Sequence, residues 1–220
     1  MGDEGRGRLL IIRGLGAALA GWVLIGGAVA VRGSLVSGGG VLNGTLTLPE
    51  FPCNAPTVCG ASVTAGFRGS FTGTDVGGHA FSVTFPDPTT VPPLPSPNLS
   101  ASFGYSDNCP VATLAPSVAV GTGSGTGTFQ ISGGLLQRGG VLAHGAIVKG
   151  NLTWTRAGSD GVLGFSATSV SDASGVVVAS GSLGAGDVAI ALPVGALPAS
   201  CDATKSTVTG TIAGLGLNFD

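Results

Sequence analysis

Most of the chain after residue 40 carries apolar side chains at every second position, with small polar residues between them. This two-residue period is typical of half-buried β-strands. Five rows show it most clearly: Leu42, Leu46 and Leu48; Val63, Ala65, Phe67 and Phe71; Phe81, Val83 and Phe85; Leu99, Ala101, Phe103 and Tyr105; Val148, Leu152 and Trp154. The 3.6-residue period of an amphipathic helix is missing from this region. The pattern predicts an all-β domain without a helix longer than two turns, and it places Trp154 in the core.

Short turn sequences separate the later rows. Ala-Gly-Ser-Asp-Gly at 157–161 and Ser-Asp-Ala-Ser-Gly at 171–175 are long enough for a hairpin but too short for a crossover between parallel strands. Residues 141–192 are therefore predicted to form a three-stranded antiparallel meander. Glycines recur inside the rows, as the corners of strongly curved sheets require. We expect an antiparallel β-barrel or a curled β-sandwich of about seven to ten strands.

Two segments are predicted to be connections rather than strands. Residues 31–40, Val-Arg-Gly-Ser-Leu-Val-Ser-Gly-Gly-Gly, have the composition of a flexible tether. Residues 85–100 contain six prolines, which cannot donate to a sheet ladder, so they are expected to form a rigid surface loop. Residues 41–220 then form a single domain.

The N-terminus contains an uncharged run of 18 residues, 14–31, between Arg13 and Arg32. Arginines precede it, and Ala28-Val29-Ala30 at its end is a small-x-small motif that signal peptidases accept. We expect a hydrophobic helix that acts as a signal peptide cleaved after Ala30, with a secreted or cell-surface domain beyond it. The alternative is an uncleaved membrane anchor, because 18 residues is close to the minimum for a spanning helix.

The charge of the chain limits its partners. Removing residues 1–30 would take away three of nine basic and two of eleven acidic residues, which leaves a net charge of −3. A weakly acidic domain without a basic cluster is not suited to nucleic acid or to electrostatic docking on an anionic membrane. We therefore expect no nucleic-acid partner, and contact with a membrane only through residues 14–31 if they are not cleaved.

All four cysteines follow the apolar run: Cys53, Cys59, Cys109 and Cys201. An even number in an exported chain predicts two disulfides. Cys53 and Cys59 are six residues apart around Pro56, which favours a local pair, and Cys109–Cys201 would then be the second. The paired spacings typical of zinc ligands are missing, so no metal site is predicted.

The sequence contains no motif that commits it to a reaction or to a cofactor. His79 and His144 are the only histidines, and both lie beside glycines, where we expect solvent-exposed side chains at turn edges. Residues 121–129, Gly-Thr-Gly-Ser-Gly-Thr-Gly-Thr-Phe, match neither a phosphate-binding loop nor a nucleophile elbow. They are predicted to form a strand with hydroxyls on one face and glycines packed closely against a neighbouring strand. No catalytic, cofactor or metal residues are therefore assigned.

Three functions are consistent with these features. The first is an exported, non-enzymatic structural or interaction module with a protein or cell-surface partner. The second is a barrel that binds a small apolar ligand in its interior, and the third is a secreted hydrolase with an unrecognised site. The interior distinguishes the first two, because a core filled by Phe67, Phe71, Phe81, Phe103 and Trp154 leaves no space for a ligand.

Overall fold

A computed structural model describes residues 34–50, 53, 56–75, 77–90, 97–108, 122–192 and 207–219. They form nine strands: β1 Ser34–Leu48, β2 Cys59–Thr74, β3 Ala80–Phe85, β4 Leu99–Asn108, β5 Thr122–Arg138, β6 Val141–Ala157, β7 Asp160–Ser171, β8 Val177–Ala191 and β9 Val208–Phe219. The predicted all-β fold is confirmed. No helix long and apolar enough to cross a membrane occurs among these residues. The helix predicted over residues 14–31 and the cleavage site after Ala30 lie outside the described residues.

The nine strands form one antiparallel sheet in the order β8-β7-β6-β5-β3-β2-β1-β9, and β4 pairs with β2 and β5. Strands β6, β7 and β8 are adjacent both in sequence and in the sheet. The turns between them lie at residues 158–159 and 172–176. The three-stranded meander predicted for residues 141–192 is therefore confirmed.

Strands β3 and β4 share one position between β2 and β5. Strand β3 pairs with the C-terminal part of each of these neighbours, and β4 pairs with the N-terminal part. The two short strands run in the same direction, one after the other. The proline-rich connection leaves the sheet at the end of β3 and returns at the start of β4. Its predicted bounds were too wide, because Phe85 and Leu99 are buried members of these strands.

The sheet is strongly curled, because its two edge strands contact each other. A methyl group placed on Gly210 of β9 would lie 3.3 Å from the side chains of Ile190 and Leu192, at the end of β8. Across the interior, the ring centroid of Phe219 in β9 is 6.4 Å from that of Phe129 in β5. The concave face of the sheet therefore encloses one core.

Burial alternates along the strands as the sequence pattern predicts. Every residue of the five predicted rows that carries a side chain is buried, including Trp154, and the glycines Gly44 and Gly69 in these rows are half-buried. Eight contacts between aromatic rings link this core, with centroids 5.2 to 6.4 Å apart. The predicted separation of hydroxyls and glycines onto opposite faces of β5 is also confirmed. Its hydroxyl residues are exposed from Thr122 to Thr128, and the alternating glycines are half-buried.

The predicted tether over residues 31–40 is wrong from residue 34 onwards, because Ser34–Leu48 form strand β1. The glycines of this segment pack against large neighbours rather than confer flexibility. Gly38 pairs with Phe71, and a methyl group on Gly38 would overlap the phenyl ring. A glycine-rich composition therefore indicates close packing here, where the aromatic ring covers the space that a side chain would fill.

Candidate functional site

A buried carboxylate organises one end of the sheet, where β2 turns into β3. The side chain of Asp75 accepts hydrogen bonds from the backbone N–H groups of Gly77 and His79, at 2.7 and 2.8 Å. Its second oxygen contacts the His79 imidazole and the guanidinium Nε of Arg138, which comes from the end of β5. Aspartate commonly accepts backbone N–H groups in such turns, so the Asp-Val-Gly-Gly-His sequence explains the local geometry.

The carboxylate of Asp75 is held in its charged form. The backbone N–H of His79 contributes most to lowering its pKa, burial opposes this, and Gly77 and Arg138 lower it further, to about 2. Arg138 and His79 are themselves 41% and 70% exposed. One buried anion therefore fixes two nitrogen-rich side chains whose outer ends remain in contact with solvent.

These two side chains lie at the rim of a groove with an apolar floor, which we call the Arg138 groove. It has a volume of about 450 Å³, and its lining residues are His79, Leu136, Arg138, Gly139, Val141, Ala143, Asp172, Val176 and Val178. The β5–β6 hairpin forms one wall, with positive φ at both Gly139 and Gly140 of its two-residue turn. That geometry is the one a tight hairpin requires, and it pairs Arg138 directly with Val141.

Asp172 adds an acidic group to the opposite rim of the Arg138 groove. Its Oδ1 accepts from the Ser174 hydroxyl and from the N–H groups of Ser174 and Val176. The Ser174 hydroxyl is the main cause that lowers its pKa, against a smaller opposing effect of burial. This carboxylate therefore shapes the β7–β8 turn as well as facing the groove.

The second histidine also meets a buried aspartate. His144 Nδ1 lies 2.6 Å from Oδ2 of Asp87, and the Thr89 hydroxyl donates to Oδ1 of the same carboxylate at 2.7 Å. Burial of Asp87 would raise its pKa, but the hydrogen bonds from Thr89 and His144 outweigh that effect and lower it to about 2. The pair ties the start of the proline-rich connection to β6.

The His144 cluster does not have the geometry of a catalytic triad. In a triad, the nucleophile and the carboxylate contact opposite nitrogens of the imidazole ring. Here the Thr89 hydroxyl and the Asp87 carboxylate both contact Nδ1, at 3.3 and 2.6 Å. Within the described ranges, no three residues among His, Cys, Asp and Glu are grouped so that they could hold a metal ion.

The opposite end of the sheet contains the disulfide Cys53–Cys59, which confirms the predicted local pair. Beside it, Asp107 and Arg156 form a buried ion pair, with Nη2 2.9 Å from Oδ1. The Cys53 N–H donates to Oδ2 of the Asp107 carboxylate, and the Asp107 N–H donates to the Cys53 carbonyl, so the ion pair fixes the disulfide loop on the sheet. Cys109 and Cys201 lie outside the described residues, and their pairing stays a prediction.

A second groove, of about 410 Å³, lies on the outer face between the disulfide and β5. It forms where Gly60 pairs with Gly104, because neither residue fills the surface with a side chain. Hydroxyls of Ser102, Thr126 and Thr128 border it, and none of its lining residues is charged. This groove therefore lacks the oriented charged group that distinguishes the Arg138 groove.

The sequence correctly predicted exposed histidines, but it did not reveal their carboxylate partners. Asp75 is four residues before His79, a spacing that could have suggested the first pair. Asp87 and His144 are 57 residues apart and meet only through the sheet.

No protein-family model matches the chain, and comparisons with curated proteins and with solved structures found no match.

Proposed function

We propose that the chain is an exported, non-enzymatic all-β binding module that holds a small, mostly apolar ligand in the Arg138 groove. One observation carries the proposal: an apolar floor and a guanidinium oriented by a buried carboxylate form a single concave surface. Small-molecule sites are typically apolar hollows of roughly 300–1,000 Å³ with a few placed polar groups, and the mouths of β-barrels are common locations. The volume of about 450 Å³ fits this range.

The proposal includes closure of the sheet into a barrel. Nine strands occupy eight positions in the sheet, because β3 and β4 share one. Closure joins β8 to β9, and it is supported by the close approach of Gly186 in β8 to the Asn218 carbonyl in β9. Eight antiparallel strands form a barrel whose interior side chains can fill it. The Arg138 groove then lies at one mouth of the barrel.

A ligand position at the mouth is favoured over one in the interior. Phe67, Phe71, Phe81, Phe103 and Trp154 are all at most 4% exposed. The ring centroids of Phe67 and Phe71 are 5.4 Å apart, and those of Phe103 and Trp154 are 6.0 Å apart. Rings at these separations are in contact, so they support a filled core. These contacts favour a binding position for the small apolar ligand outside the core.

Export is supported by two independent features. The disulfide Cys53–Cys59 is compatible with an oxidising compartment. The apolar run at 14–31 with its Ala28-Val29-Ala30 motif predicts a signal peptide that directs the chain to secretion. Intact mass of protein from the culture medium tests it, and a mass that lacks residues 1–30 is expected. Protein that retains these residues and occurs only in the membrane fraction would instead establish an anchor.

Binding at the groove can be tested with an uncharged apolar probe. Titration of the ¹⁵N-labelled chain with 1-octanol should shift the amide resonances of Ala143, Val176 and Val178 in a saturable manner. Val141→Asp should abolish the shifts, because it places a carboxylate in the apolar wall. Leu142→Asp is the matched control, since Leu142 is the next residue of β6, is 51% exposed, and does not line the groove. Unperturbed groove amides with 1-octanol and also with charged octyl compounds would refute the proposed function.

A further inference from the structure

We infer that the ligand of the Arg138 groove is an aliphatic carboxylic acid of medium chain length, bound with its carboxylate at Arg138. This inference rests on the proposed function and specifies its ligand. The apolar floor would contact the alkyl chain of the ligand, and the guanidinium at the rim would bind its carboxylate headgroup. Arginine suits a carboxylate because its planar guanidinium can donate two parallel hydrogen bonds to it.

The contact with Asp75 orients the guanidinium of Arg138 and leaves its two terminal nitrogens as hydrogen-bond donors. Its Nε is engaged by Asp75, and no other partner for its side chain occurs among the described residues. The two terminal amino groups are therefore free to donate to a bound anion. The fixed Nε also reduces the rotamer freedom that binding would otherwise remove, which favours affinity through preorganisation.

His79 lies at the same rim and pairs with the same buried carboxylate. Its Nδ1 lies 3.3 Å from Oδ2 of Asp75, which directs the opposite ring nitrogen away from the buried carboxylate. Because the Asp75 carboxylate accepts the hydrogen of Nδ1, the opposite nitrogen of the neutral ring is an acceptor and offers no hydrogen to a ligand carboxylate. The headgroup is therefore assigned to the two terminal nitrogens of the Arg138 guanidinium.

The groove volume of about 450 Å³ accommodates an alkyl chain of medium length. Leu136, Ala143 and Val178 offer an apolar surface that begins beside Arg138 and ends at the β7–β8 turn. Asp172 at that far rim disfavours a second carboxylate, so a monoacid fits better than a diacid. A cationic headgroup would have to displace the Arg138 guanidinium from Asp75 or compete at Asp172, whose Oδ1 already accepts three hydrogen bonds from Ser174 and Val176.

The test compares three octyl compounds that share one tail: octanoate, 1-octanol and octylammonium. Dissociation constants come from amide shifts of the groove residues, below the concentration at which each compound aggregates. We expect octanoate to bind about tenfold more tightly than octanol, and octylammonium most weakly, because hydrogen bonds to charged groups are the stronger ones. Equal affinities for octanoate and octanol would overturn the carboxylate inference and leave the proposed function intact.

Substitutions of Arg138 and Asp172 test where in the groove the carboxylate of octanoate binds. Arg138→Gln should weaken octanoate binding about tenfold while leaving octanol unchanged. Arg68→Gln is the matched control, since Arg68 is exposed on β2 and outside the groove. Asp172→Asn should tighten octanoate binding about twofold to fivefold, because it removes a like charge. Unchanged octanoate affinity in both Arg138→Gln and Asp172→Asn would overturn the inference.

A fourth compound, N-acetylleucine, tests whether the bound carboxylate could belong to a peptide C-terminus instead of a fatty acid. N-acetylleucine carries the same carboxylate on a short branched apolar group, as the C-terminus of a peptide does. Weaker binding than octanoate is expected, because its apolar part covers less of the floor. Tighter binding would overturn the assignment to a fatty acid in favour of a peptide C-terminus.

Discussion

The indole ring of Trp154 in β6 lies so close to Gly161 in β7 that a methyl group on Gly161 would meet three of its ring carbons. The indole is fully buried, and its Nε1 has no hydrogen-bond partner among the described atoms. Packing alone therefore holds the ring. A glycine and an aromatic residue on neighbouring strands jointly fill the space that two ordinary side chains would otherwise take.

Gly161→Ala should destabilise the fold by about 1–3 kcal/mol, because the new methyl group overpacks the core. Urea denaturation measures the free energy of unfolding. Gly60→Ala is the matched control: Gly60 also lies in a strand, but a methyl group on it would meet nothing within 4 Å, so a change of about 0.5 kcal/mol or less is expected.

A double-mutant cycle shows whether the ring causes the effect. Trp154→Leu removes the indole, so adding Gly161→Ala to it should cost much less than the same change in the wild type. Coupling of roughly 0.5–3 kcal/mol is typical of residues in contact. Strictly additive effects would mean that Gly161 is required for a reason other than the indole.

The buried ion pair at the disulfide end gives a second prediction. Arg156→Met should cost about 3–5 kcal/mol, because it leaves the Asp107 carboxylate buried without its guanidinium. The double variant Asp107→Asn/Arg156→Met should be more stable than Arg156→Met, since it removes both charges and keeps an oxygen for the Cys53 N–H. Chemical denaturation measures both, and Arg68→Met serves as the exposed control. A double variant less stable than the single one would contradict this electrostatic account.

The disulfide gives a third prediction. The Cys53→Ser/Cys59→Ser variant should lose about 2 kcal/mol, because a bridge between residues six apart restricts only a short loop of the unfolded chain. Denaturant unfolding measures the loss. Peptide mapping under non-reducing conditions should also detect the predicted Cys109–Cys201 pair, and two free thiols at these positions would refute it.

The sequence could predict the strands because a buried face repeats every two residues. It predicted Trp154 in the core for that reason, and it predicted the meander over residues 141–192 from the short turn sequences between the strands. It could not predict that Ser34–Gly40 belong to β1, because composition does not show that Phe71 covers Gly38. The pairing of Asp87 with His144 depends on the register of distant strands, and apolar periodicity contains no information about it.

Acid should destabilise the fold through the buried aspartates. The pKa of Asp75 and of Asp87 is lowered from 3.8 to about 2. Between these values the unfolded chain binds more protons than the folded one, so stability rises with pH. Their contribution is complete above about pH 4 and is lost as the pH falls toward 2. The Tm of the wild type should therefore drop steeply over this interval.

Asp87→Asn isolates one of these carboxylates. Its Tm should lie below that of the wild type at pH 5, and the difference should narrow as the pH falls toward 2, because the wild-type carboxylate is then protonated as well. Phe129→Leu is the control, since it destabilises the core without removing a titrating group, and its Tm should stay below the wild-type value by a similar amount at each pH. Scanning calorimetry from pH 2 to pH 6 measures all three proteins. A constant difference between wild type and Asp87→Asn across this range would show that the carboxylate does not stabilise the fold through its charge.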